Sequence, residues 1–197
     1  MPTDARSLYL ISDPPPTASN APQIRDIIAD RLQKRHQPSA TRSFHLEHRL
    51  LRSTPPGEHA YIQILEAPHL SPLPFALCRG TIITAAPDFA GLLKAKLGAL
   101  WQHRQTIKCE GHAYDVHDFR VRVGRLVLAD QARGVVVEVE YLPLDSMKGV
   151  ADTVLRAFVD GLDLDFESGR WVLGVEQEEE WGVLDTGRLY CELLRNR

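Results

Sequence analysis

Cysteine is scarce in this chain. Cys78, Cys109 and Cys191 are its only three, widely spaced, and they form neither a disulfide framework nor a Cys-x-x-Cys zinc motif. Buried, reduced thiols are the expectation. There is no run of about 18 apolar residues, so no segment reads as a membrane-spanning helix, and the opening Met-Pro-Thr-Asp-Ala-Arg lacks the apolar stretch of a secretory signal. An intracellular protein that meets no membrane is expected. An excess of one charge sign is also missing: 23 basic against 26 acidic side chains leave a net charge of -3. That balance argues against a broad phosphate-binding face, and so against direct nucleic-acid binding. No repeat of solenoid period and no low-complexity tract is present.

What remains has the composition of an ordinary globular protein, 44% hydrophobic and 25% charged over 197 residues. A chain of this length can bury a sizeable core without staples, and residues 1–197 read as a single domain. Ser7 to Ile11 forms a short strand that stops at three prolines, Pro14 to Pro16. Asn20 then caps a helix whose apolar stripe is Ile24, Ile27, Ile28 and Leu32, ending before Pro38. Period-two alternation from Ser43 to Leu51 predicts a half-buried strand, with Phe44, Leu46, His48 and Leu50 on one side. Further strands follow at Tyr61 to Leu65, Phe75 to Arg79 and Gly80 to Ala85, consistent with an antiparallel meander.

Asp88 is placed to cap a second helix carrying Phe89, Leu92, Leu93, Leu97, Leu100 and Trp101, a wide stripe that should pack on a sheet. Beyond it the pattern reads as short strands, Gln105 to Glu110, His112 to Val116, Phe119 to Val123, Leu126 to Leu128 and Val135 to Leu142. Turns are expected at Gly111, at Gly124-Arg125 and from Asp130 to Gly134. A third helix opens at Asp145 or Ser146 with Val150, Val154, Leu155, Phe158 and Leu162. Glu167 to Trp181 reads as a hairpin or an exposed excursion. A last helix, capped by Asp185 or Thr186, carries Leu189, Tyr190, Leu193 and Leu194. The sum is an α+β protein of about eight antiparallel strands with three to four helices, and so many short strands in a small chain favour closure into an antiparallel β-barrel.

No residue set amounts to a catalytic, metal or cofactor site. Glu138 and Glu140 share one face of a strand, and in a barrel lumen such a pair would hold a divalent metal for phosphohydrolysis of the triphosphate-tunnel type. Leu142 stands where the Glu-x-Glu-x-Lys pattern needs lysine. The simpler expectation is a solvated pair above a buried row of Val135, Val137 and Val139. Cys109, His112 and His117 are zinc-ligand types, but a hairpin at Gly111 would not point them one way. His45, Glu47 and His48 read as solvated strand positions. Partner-binding candidates are Trp171, Val172, Leu173, Val175 and Trp181, aromatic and apolar residues interleaved with glycine and the acidic run Glu176 to Glu180, together with Arg120 and Arg122 beside Arg125. Those arginines equally suit edge-strand charges that block aggregation.

Three phrases carry a family resemblance. They are Leu92-Leu-Lys-Ala-Lys-Leu97, Asp118-Phe-Arg-Val-Arg-Val-Gly124 and Ala132-Arg-Gly-Val-Val-Val-Glu-Val-Glu-Tyr141; Asp185-Thr-Gly-Arg-Leu-Tyr-Cys-Glu-Leu-Leu194 adds a fourth. In order and spacing they resemble the Mediator subunit 20 family, the TATA-binding-protein-related subunit of the Mediator head module. The resemblance implies a non-enzymatic nuclear coactivator of RNA polymerase II transcription without cofactor. It further implies a helix-flanked antiparallel barrel that pairs with the related barrel of Mediator subunit 18, is tethered by a helix of Mediator subunit 8, and joins other head subunits. The proline-rich stretch from Ser53 to Pro74 and the acidic segment have no counterpart in it.

Overall fold

A computed structural model describes residues 6–12, 20–55, 57, 59–142, 148–163, 169–173 and 182–195. Nine strands and four helices follow in the order β1 (Arg6–Ser12), α1 (Asn20–His36), β2 (Ala40–Ser53), β3 (Tyr61–Glu66), β4 (Phe75–Cys78), β5 (Thr81–Thr84), α2 (Phe89–Leu97), β6 (Trp101–Val116), β7 (Phe119–Leu128), β8 (Gln131–Tyr141), α3 (Lys148–Gly161), β9 (Gly169–Leu173) and α4 (Val183–Leu194). The ladders with described registers, β1 with β8 and β9, β2 with β3, β3 with β4, β4 with β5 and β7 with β8, are all antiparallel. The expected α+β class is present. Closure is not: among the described residues β5 pairs with β4 alone and β9 with β1 alone, so each ends its ladder.

The chain divides into two compact units, residues 1–45 with 109–182 and residues 46–108 with 183–197. In the first unit the strand order runs β6-β7-β8-β1-β9. Odd-numbered residues of β7 and β8 (Phe119, Val121, Val123, Val135, Val137 and Val139) turn to one face, where α1 supplies Ile28 and Leu32, α3 supplies Leu155 and Val159, and Leu162 follows just past the helix end. The rings of Phe119 and Phe158 stack at 3.9 Å there, a contact adding about 0.5–1.5 kcal/mol beyond its area. Ile27, expected in the α1 stripe, faces outward and is 43% exposed. The expected opening of α3 at Asp145 or Ser146 lies outside the described residues.

Two glycines read as turns sit instead inside long strands. β6 runs unbroken through Gly111 and β7 through Gly124. At Gly111 a Cβ would overlap the carbonyl oxygen of Val123; at Gly124 it would overlap the sulfur of Cys109 and meet the ring of Phe44. Close approach of neighbouring strands, not chain reversal, is what these positions require. The real reversal into β8 is the pair Ala129-Asp130, both at positive φ, and the β4–β5 hairpin turns likewise on Arg79-Gly80.

In the second unit the order is β5-β4-β3-β2-β6. One face meets α4, whose Gly187 lets the ring of Phe75 approach and whose Leu189, Tyr190, Leu193 and Leu194 are buried as their spacing predicts. The other face carries Ile62 and Ile64 beneath α2, with Leu93. α2 is shorter than its sequence stripe, since Trp101 already begins β6. Its Asp88 makes no side-chain cap hydrogen bond, contrary to expectation.

Candidate functional site

The β7–β8 register sets Arg122 opposite Glu138 and Arg120 opposite Glu140. On the face away from α1 and α3, Arg122 Nη1 donates to Glu138 Oε1 at 3.0 Å, and Nη2 lies 2.7 Å from Glu140 Oε2. All three side chains are buried, Glu138 completely. The expectation of a solvated glutamate pair is thus corrected. β8 is covered on both faces, so its alternating Glu residues enter the interior and must be neutralised there. A guanidinium suits this because its fixed fork engages two carboxylates at once. The same geometry removes Arg122 from the surface and from the partner-contacting set to which it was assigned.

Arg120 stays half-buried at the same end of the sheet. Its Nε donates to Asp115 Oδ1 at 2.6 Å, and Arg42 Nη2 reaches Asp115 Oδ2 at 3.3 Å. The Arg120 hydrogen bond, ahead of any other influence, holds the Asp115 carboxyl below its ordinary pKa. Cys109 is fully buried, and desolvation pushes its thiol well up; His112 is partly exposed and His117 sits in the β6–β7 turn at positive φ. These three do not converge, and among the described residues no cluster of three or more metal-ligating side chains forms. Burial likewise pushes Cys191 up to about 12. All three cysteines are free.

His48 departs from the solvated reading as well. It is wholly buried beside Gln63, its Nε2 lying 3.0 Å from the Gln63 Oε1, and desolvation lowers its pKa to about 4. It is a neutral core imidazole at physiological pH.

Of the partner-binding candidates, Trp171, Val172 and Leu173 fall in β9, where they pair in register with Tyr9, Leu8 and Ser7 of β1. Val175, Trp181 and the acidic run 176–180 lie outside the described residues. One feature went unseen in the sequence. Beside α2 a cleft of about 550 Å³ is lined by Leu51, Ile64, Ala90, Lys94 and Trp101. Its only sequence signal is the failure of a nine-residue helix to account for its whole apolar stripe.

The sequence model of one family, described as the TATA-binding related factor of subunit 20 of the Mediator complex, matches residues 6–195. The chain belongs to the Mediator subunit 20 family. It is 45% identical over 64 residues to Mediator of RNA polymerase II transcription subunit 20b from Arabidopsis thaliana, a stretch covering 28% of this chain and 29% of that relative's length. Solved structures of similar architecture include a conserved hypothetical protein from Pyrococcus furiosus, at 13% identity, TM-score 0.49, covering 85% of this chain and 94% of that one. The Schizosaccharomyces pombe Mediator head module gives 8% identity, TM-score 0.44 and coverage of 81% and 92%; the RNA triphosphatase Pct1 of that yeast gives 9%, 0.43, 83% and 84%.

Proposed function

We propose that this subunit-20 family member works without chemistry of its own, as a nuclear Mediator head-module subunit and coactivator of RNA polymerase II transcription that presents folded surfaces to other subunits. The family match over residues 6–195 carries the reading. Glu138 and Glu140, the acids that a triphosphate-tunnel reading would recruit, both lie within ion-pair distance of Arg122 inside the sheet.

The direct partner is a homologue of Mediator subunit 18, with subunit 8 as tether. Its contact surface is the β9 edge, the strand that carries Trp171, Val172 and Leu173. β9 supports this because, among the described residues, it pairs with β1 alone, and such a strand offers a backbone edge to a second sheet. Co-expression with a subunit-18 homologue should yield a single co-eluting species at micromolar concentration, and Val172→Pro, which removes a backbone donor from β9, should split it. Separate elution of the wild-type chains would remove the pairing. Phosphate release from a nucleoside triphosphate that requires Mn or Mg and disappears in Glu138→Gln would replace this reading with the hydrolase.

Residues 1–197 are further taken as one domain, because β2 and β6 each contribute residues to both units. A single calorimetric transition with equal calorimetric and van't Hoff enthalpies is the expected outcome.

A further inference from the structure

We propose that the cleft beside α2 receives an acidic amphipathic helix of a partner protein, at a surface separate from the pairing edge proposed above. The cleft lies wholly within the second unit. Its floor is the sheet face bearing Leu51 and Ile64, and its walls are the small residues Ala90, Gly91 and Gly98 on one side and Trp101 on the other. Such a space takes large aliphatic or aromatic side chains.

The apolar surface continues past the cleft. Next to the α2 face that lines the cleft, Leu97 is 40% exposed, and Leu100 just past the helix end is 47% exposed. A small molecule confined to the cleft would leave that extension uncovered. A helix carrying apolar residues at i, i+3, i+4 and i+7 would cover both.

Charge selects among occupants. From Asp88 to Lys108 the chain holds Lys94, Lys96, Arg104 and Lys108 with His103 against one acid, Asp88, whose carboxylate lies at Gly91 of the cleft wall. The second unit carries 10 basic against 6 acidic side chains, whereas the first carries 13 against 20. A second copy docked by two-fold symmetry would set Lys94 and Lys96 against themselves, which disfavours self-association. Nucleic acid would satisfy the lysines and leave the leucines unmet. Carboxylates flanking an apolar stripe satisfy both.

The test is fluorescence anisotropy of the full chain with a labelled 20-residue helical peptide carrying Leu at i, i+3, i+4 and i+7 and Glu on its flanks. Binding in the micromolar range is expected, with no binding when Leu is replaced by Ser. The exposed variant Lys94→Glu, at the cleft wall and with unchanged circular dichroism, should weaken the Glu peptide several-fold. It should bind the same peptide with Lys in place of Glu better than wild type does. A tryptophan emission shift on binding should vanish in Trp101→Phe. The proposal falls if wild type ignores the Glu peptide at about 1 mM, or if charge reversal leaves its affinity unchanged. A concentration-dependent dimer that Leu97→Arg dissociates would overturn it in favour of a second copy.

Discussion

The two units solve the same problem, covering a β-sheet, with different completeness. In the first, α1 and α3 with the residue after α3 lay five buried side chains over the valine rows of β7 and β8, and the opposite face is closed enough to bury Arg122, Glu138 and Glu140. In the second, α4 covers one face well, but α2 contributes one buried leucine to the other and leaves three exposed near an apolar cleft. Arg122, Glu138 and Glu140 pair inside the first unit; Leu92, Leu97 and Leu100 stay exposed on the second. Stability should therefore concentrate in the first unit and binding capacity on the α2 side of the second.

The largest break in that contrast should come from Arg122→Leu, which leaves two buried carboxylates without their shared guanidinium and should cost about 3–5 kcal/mol in urea unfolding. Replacing Glu138 and Glu140 by Leu in the same chain should return much of that loss, because it is the stranded charges that are costly. A recovery close to zero would mean that the ion pairs do more than neutralise one another. Leu155→Ala, at a fully buried position, should cost about 2–5 kcal/mol.

A pH titration probes the second unit's core. Because the folded pKa of His48 lies at about 4, below its unfolded value, only the unfolded state takes up a proton first as pH falls. Its stabilising contribution is complete above about pH 6.5 and is lost down to about pH 4, roughly 3 kcal/mol at a slope near 1.4 kcal/mol per pH unit. His48→Gln, which can still bond Gln63, should flatten that slope. His36, lowered by burial and then by His117 and Arg35, adds a further decline of the same sign. An equally steep acid decline in His48→Gln would assign the effect elsewhere.

Smaller effects sharpen the picture. Gly111→Ala forces a Cβ onto the Val123 carbonyl and should lower stability by about 1–3 kcal/mol, with strand separation visible as faster amide exchange in β6 and β7. Leu97→Ser on exposed α2 should change stability by less than about 0.5 kcal/mol while weakening peptide capture. A cost comparable to that of Leu155→Ala would show that the α2 face is core after all.

Element type was legible where one periodicity ruled: the Phe44-Leu46-His48-Leu50 alternation, the valine row of β8 and the stripe of α4 all appear as their spacing requires. Glycine was the weak point. Gly111 and Gly124 carry the same letter as Gly80, yet two serve close packing and one serves a turn, and only the neighbouring strand distinguishes them. The polar residues Glu138, Glu140 and Arg122 were misplaced for a related reason, whereas the burial of His48 follows the apolar row it shares. Period-two alternation shows that residues share a side, but it does not show whether that side is wet.

Residue order alone determined the strands, the helices and the phrases that place the chain in the Mediator subunit 20 family, because those depend on local spacing and on letters. Three-dimensional packing alone decided that β6 and β7 run through their glycines, that an arginine and two glutamates close the interior together, and that α2 stops short of covering its leucines. Burial is a property of what lies across from a residue, and that partner is often far away in the chain.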